Sequence, residues 1–335
     1  MQFFRSPTAI ITAAFLCITL LAVIFVYTMV QPVSALPGNS VTVTVKPGMT
    51  ASEIGTLLYQ QGLIKNVTLF RGILHAKGLQ NSLQAGEYSL SSAMNIQTII
   101  GMLAKGEVAY REITIPEGLT IDEIAKLLEE KNLAVAAAFS AAAKDYLPYD
   151  YIQPSPIANY KPEGFLFPDT YRIPRGMKEK DLLQTMTFQF DSLFTPVMRV
   201  RAQEMGLSVK DMVILASLIE KEARYADERP IIARVFMNRL KAGMPLQSCA
   251  TIQYILGYPK PELTIKDTEI PSPYNTYQNM GLPPGPIANP GMASIQAALF
   301  PADTDYLYFV ADKTGKHHFS KTYDEHLANI EKVSY

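Results

Sequence analysis

Residues 9–30 form an almost wholly apolar run, and no charged residue stands between Arg5 and Lys46. About 20 apolar residues cross a bilayer, so the run predicts one membrane-spanning helix. Residues 31–40, with two prolines, a glycine and two serines, read as a linker off the membrane. Arg5 and the amino terminus on the short side put that end in the cytoplasm and export the remainder. A cleaved signal peptide is the alternative, because Val33-Ser34-Ala35 resembles a processing site. The run exceeds the usual signal core in length, and an uncleaved anchor is expected.

Beyond the linker the period changes to two. Val41, Val43 and Val45 alternate with Thr42 and Thr44, giving a strand, a Pro-Gly turn and a helix over 50–61. The pattern returns 70 residues later: VTVKPGMTASEIGTLL at Val43 matches ITIPEGLTIDEIAKLL at Ile113. Two copies of strand, turn and capped helix make an internal repeat. Between them, 83–90 reads as a strand and 96–103 as a helix ending near Gly106. Residues 134–143 form an alanine-rich helix, and 145–160 are interrupted by Pro148, Pro154 and Pro156. PEGFLFPDTY, residues 162–171, reads either as a buried strand with a turn at each end or as one wall of a cleft.

Helical spacing then dominates. Residues 182–205 predict one long amphipathic helix, and Ser208, with Asp211 three residues on, opens another through Met212, Leu215, Ala216, Ile219 and Ala223. A third runs from Asp227 as N-cap to Gly243. Residues 259–301 hold nine prolines, which exclude long regular elements apart from a helix that Asn289 caps and Pro290 begins. Two short strands flank Asp312-Lys313-Thr314-Gly315 as a hairpin, and Thr322 with Glu325 starts a last helix.

Composition narrows the chemistry. The 335 residues carry a net charge of −1 with no basic run, which argues against a nucleic-acid partner. Cys17 lies in the apolar run and Cys249 is remote from it, so no disulfide is expected. Cys249 lacks a convincing histidine partner for nucleophilic work. His75, His317, His318 and His326 have no ligand spacing; no metal or cofactor is expected, and the adjacent pair reads as strand surface.

Glu220 is the conspicuous acid. On a helical wheel it falls between Ala216 and Val213, inside the apolar arc. An ionised carboxylate there is costly unless paired, and such a setting is how a protein keeps a general acid protonated. Pairing with Lys221, Arg224 or Arg229 at the core rim is the structural alternative, and Glu222 has similar neighbours. The proline-rich segment adds Tyr274, Asn275, Thr276 and Tyr277, flat faces and hydrogen-bonding groups suited to a sugar ring on a rigid loop. A purely structural loop is the alternative there.

LASLIEKEA, ERPIIARVFMNRLKAGMPLQS, SPYNTYQNMGLPPGPIANPG and DYLYFVADKTGKHHFS, with PEGFLFPDTY upstream, closely resemble the YceG-like endolytic murein transglycosylases over nearly the whole chain. The resemblance implies an α+β protein: a single transmembrane helix, a small LysM-like lobe and a larger mixed catalytic domain. It places a cytoplasmic N-terminus at 1–8, the span at 9–30, the linker at 31–40, the LysM-like repeat lobe at 41–133, a connector at 134–160 and the catalytic domain at 161–335. It implies a membrane-anchored bacterial lyase that cuts the MurNAc–GlcNAc β-1,4 bond within glycan strands and leaves 1,6-anhydro ends, with cell-wall synthesis or division proteins as possible partners. The first glutamate of the EKE motif, Glu220, takes the catalytic role; Glu222 does not. Many members have Asp-Pro where this chain has Cys249 and Ala250. Ordinary glycosidases need two carboxylates, whereas here Glu220 alone would protonate the leaving oxygen and then take the proton of the muramic 6-hydroxyl. Gln247, Tyr274, Asn275, Thr276 and Tyr277 are the expected glycan contacts. The alternatives are a lysozyme-like hydrolase and a non-catalytic peptidoglycan-binding or division scaffold.

Overall fold

The fold is that of a computed structural model, which describes residues 7–36, 39–174, 176–260 and 262–334. Arg5 and the N-terminal segment on which the inside orientation rests lie outside the described residues, as do Pro37 and Gly38 of the linker. The architecture is mixed α+β with small two-stranded sheets, in two compact units, Met1–Arg111 and Glu112–Tyr335.

In the first unit, helix α1 (Pro7–Val30) is long and apolar enough over Ile10–Val30 to cross a membrane. Strand β1 (Val41–Val45) is followed by helices α2 (Ala51–Gln60) and α3 (Val67–Ala76), strand β2 (Gly86–Leu90) and helix α4 (Ile96–Lys105). The strands pair antiparallel from Val41↔Leu90 to Val45↔Gly86. Alternation puts Val43, Val45, Tyr88 and Leu90 on one face, where they pack with Ile54, Leu58, Phe70, Ile99 and Leu103.

The second unit opens with β3 (Tyr110–Thr114), which crosses the division, followed by α5 (Ile121–Glu130), α6 (Ala136–Lys144), β4 (Thr170–Pro174), α7 (Glu179–Leu193) and α8 (Pro196–Glu204). Helices α9 (Val209–Glu222), α10 (Arg229–Lys241), α11 (Cys249–Leu256), α12 (Ile265–Thr268) and α13 (Met292–Leu299) follow, then the hairpin β5 (Tyr308–Ala311) and β6 (His317–Ser320), and α14 (Tyr323–Ser334). Strand β3 pairs with β4. One core lies over that pair and beneath α5, α6 and α7. A larger one is centred on α9, whose residues Met212 to Ile219 are all buried, as expected of a helix apolar nearly all round.

Both repeat copies form, and each helix opens on a capping box, Thr50 with Glu53 and Thr120 with Glu123, each worth about 1 kcal/mol. The two copies fall in different compact units, Met1–Arg111 and Glu112–Tyr335. The apolar face of the second copy (Ile113, Ile115, Ile121, Ile124, Leu128) packs with Leu166, Tyr171, Leu182 and Met186, which binds it to the downstream chain.

Local differences from the sequence reading have plain causes. The long helix over 182–205 breaks at Thr195, which caps α8 with Pro196 in its first turn, because a proline ring has no place in a helix interior. Residues 162–168 are buried but not a strand, and the strand begins at Thr170; Pro162 and Pro168 cannot donate to a ladder. Helix α10 begins after a short 3-10 turn, Ala226–Glu228, without a side-chain cap, because Glu228 turns inward. Its carboxylate accepts from the His317 backbone N–H (2.9 Å) and lies 2.8 Å from His317 Nδ1. His317 is therefore buried and only His318 is on the surface. Helix α13 is capped by Gly291, not Asn289.

Candidate active site

Three helix ends meet around Glu220, in the last turn of α9, whose side chain is 7% exposed. Its Oε2 accepts from the Gly291 backbone N–H at the N-terminus of α13 (3.0 Å), and its Oε1 from Arg229 Nη2 at the start of α10 (3.4 Å). Arg229 is held in turn by Nε donating to Ser294 Oγ (3.1 Å), and Ser294 is fully buried on α13. A buried carboxylate with a guanidinium and a helix N-terminus as donors is paired as burial requires. The rim partner is thus Arg229 among the three considered, while Lys221 Nζ reaches the Gly118 carbonyl (3.2 Å).

A network of long sequence separation fixes the loops above this carboxylate. The Gly118 N–H donates to the Asn289 carbonyl, and the Asn289 N–H and Nδ2 donate to the Leu119 carbonyl, each at 2.9 Å. Asn289 Oδ1 accepts from the Leu166 N–H (2.9 Å), and Nδ2 also reaches Glu163 Oε1 (3.2 Å). Glu163 is buried and accepts from the Ile121 N–H at the start of α5 (3.1 Å). Burial pushes its acid up to about 8. Ser217 Oγ, on α9, accepts from the Ile287 N–H (3.1 Å). Gly118 has φ +78°, and a Cβ there would touch Glu220 Cγ at 3.6 Å, so the second repeat's turn lies directly over the acid.

That turn brings a second carboxyl. Glu117 lies against Gly291, where an added Cβ would overlap the Glu117 carboxyl. Partial burial and then the negative charge of Glu220 raise Glu117 from its ordinary value, while Arg229 acts in the opposite sense. Sequence reading missed Glu117, Asn289 and Gly291. The available signal was the repeat itself: Glu117 stands where the first copy has Pro47.

The other residues singled out by sequence form a separate cluster. The Gln247 N–H donates to the Thr276 carbonyl (3.0 Å), and Thr276 Oγ1 accepts from the Ser248 N–H (3.0 Å). Asn275 Nδ2 donates to the carbonyls of Thr268 and Ile270, and its Oδ1 accepts from the Tyr277 N–H. Asn275 and Thr276 are buried, with these groups engaged in holding the loop. Tyr274 packs on Tyr254, with ring centroids 5.0 Å apart, and the Tyr277 hydroxyl lies 3.0 Å from Cys249 Sγ. Burial pushes the Cys249 thiol up. Glu222 takes a hydrogen bond from the Ser248 hydroxyl, and burial raises its acid. It belongs to this cluster rather than to the Glu220 site.

A cavity of about 290 Å³ has a lining that includes Thr120, Lys126, Tyr160, Lys221, Tyr254 and Tyr258. Glu220 is not in that lining; its neighbour Lys221 is. Among the described residues no group of three or more His, Cys, Asp or Glu side chains is placed to hold a metal ion.

An endolytic murein transglycosylase of Bacillus subtilis is 35% identical over 317 residues, covering 91% of this chain and 88% of that protein. One from Streptococcus pneumoniae is 33% identical over 335 residues and covers 91% of this chain; the match spans 60% of that longer relative. The crystal structure of a YceG-like protein from Listeria monocytogenes superposes with a TM-score of 0.60 at 34% identity, covering 87% of this chain and 98% of that one. Residues 43–332 match the model of the YceG-like family, and the chain belongs to that family.

Proposed function

We propose that this chain is an endolytic lytic transglycosylase that cuts the MurNAc–GlcNAc β-1,4 bond within peptidoglycan strands, with Glu220 as its acid. The observation that carries the reading is the placement of Glu220, a deeply set carboxyl at the meeting point of α9, α10 and α13, in a chain of this family. In its protonated form Glu220 gives its proton to the departing O4 as the C1–O4 bond breaks. The muramic 6-hydroxyl then closes on C1 and releases its own proton, so no water is consumed and a 1,6-anhydro end remains. Gln247, Tyr274 and Tyr277 are the glycan contacts this reading retains from the loop, with Asn275 and Thr276 holding that loop in place. Helix α1 is an uncleaved single-pass anchor with the catalytic unit outside the cytoplasm, near wall-synthesis or division proteins. The repeat lobe at 41–133 is LysM-like and serves to bind or position glycan.

Mass spectrometry of digested strands, with wild type and Glu220→Gln side by side, tests the function. Wild type yields anhydro ends, and the variant loses at least about 10²–10⁴-fold in rate. Reducing ends in place of anhydro ends would establish a hydrolase instead, and undiminished cleavage by Glu220→Gln would remove the role given to that residue.

A further inference from the structure

The carboxyl of Glu117 and that of Glu220 both lie against one residue. Gly291 donates its N–H to Glu220 Oε2 at 3.0 Å, and its Cα face is covered by the Glu117 carboxyl so closely that a methyl group would overlap it. The absence of a side chain at Gly291 is what lets the turn of the second repeat descend to this point. The turn is not free to move away, because Gly118 and Leu119 are tied to Asn289 and Lys221 holds the Gly118 carbonyl. Arg229 is the cation facing the pair; its guanidinium is oriented by Ser294 and bonded to Glu220. Glu117 itself remains on the surface of the site, where a bound sugar can reach it, whereas Glu220 is nearly covered.

We propose that Glu117 is a second catalytic carboxylate, the base that takes the proton of the muramic 6-hydroxyl while Glu220 supplies the proton to the leaving oxygen. This rests on the transglycosylase reading and divides between two residues the tasks that a single glutamate would otherwise perform in turn. The atoms balance. The C1–O4 bond breaks and O4 takes the Glu220 proton; the C1–O6 bond forms and the O6 proton passes to Glu117. Transfer of that proton back to Glu220 resets the pair. Partial burial, the largest influence on Glu117, raises it, which makes its ionised form a stronger base.

The test uses the full-length chain in detergent micelles and purified glycan strands, with anhydro ends counted by mass spectrometry. Glu117→Gln is expected to lower kcat by about 10²-fold or more with KM changed by less than about threefold, and to lose the acidic limb of the wild-type pH–rate profile. Glu117→Ala is expected to regain about tenfold or more in kcat when formate is added as a substitute base. A Glu117→Gln variant within about threefold of the wild-type kcat overturns the proposal. So does a kcat loss in Glu117→Ala that formate does not relieve, since a packing role is indifferent to added base. Wild type that makes only reducing ends would remove the transglycosylase reading itself, an outcome seen before any variant is compared.

Discussion

Substituting Glu163 by glutamine isolates the cost of its buried carboxyl. Glu163 is 5% exposed, and Oε1 accepts from the Ile121 N–H at 3.1 Å and from Asn289 Nδ2 at 3.2 Å. Burial pushes the acid from 4.5 up to about 8, and the charges of Asp122 and Glu123 add to it, against the two donors. Below pH 4.5 folded and unfolded chains both hold this proton, and Glu163 contributes no pH dependence. Between about 4.5 and 8 only the unfolded chain releases it, so stability falls as the pH rises; above about 8 both states are ionised and the loss levels off. At about 1.4 kcal/mol per pH unit, the whole window amounts to an upper bound on the order of 4–5 kcal/mol. Glutamine keeps the shape and the acceptor oxygen but cannot ionise. The chain has 18 tyrosines and no tryptophan, so far-ultraviolet circular dichroism and tyrosine emission are the probes of urea unfolding. The two proteins are expected to have the same midpoint near pH 4.5, and the variant the higher one at pH 8. With a slope of roughly 3 kcal/mol per molar urea, the gap is at most about 1.5 M. Other titrating groups cancel in the difference. Parallel pH dependences in the two proteins would refute the reasoning.

Two further outcomes follow from the loops over Glu220. Gly118→Ala places a side chain at φ +78° and is expected to cost about 1–2 kcal/mol of stability by urea unfolding, with a fall in glycan cleavage because the strained turn lies on Glu220 and carries Glu117. Asn289→Ala leaves the buried Leu166 N–H without its acceptor, a cost of about 1–3 kcal/mol. Faster amide exchange at Leu166 and Gly118 would check it, and unchanged exchange at both would count against the network.

What could be read from the sequence was what local chemistry decides. The capping boxes at Ser208 and Thr322 form with the residues expected, because each needs only a hydroxyl and a carboxyl three residues apart. The hairpin around Asp312 and the apolar run of α1 are of the same kind. Thr195-Pro196 is equally local, and it divides the expected long helix because a cap followed by proline starts a new one whatever the apolar period does. The partners of Glu220 are another matter. The wheel put it on an apolar face, which α9 confirms, but Gly291 is 71 positions away and the Asn289–Leu119 bond spans 170. No helical or strand period links such residues, and glycine has no side chain to announce that a carboxyl will rest on it. Repetition hid Glu117 for a related reason. Matching the copies by their shared apolar positions drew attention to what recurs, Gly48 with Gly118 and Thr50 with Thr120, and those residues build the turn. At the turn the copies differ in Lys46-Pro47 against Pro116-Glu117, so the acid of the second copy is not among the residues they share. In a repeated module, a charge gained by one copy at a turn is therefore the place to look for a task the other copy does not perform.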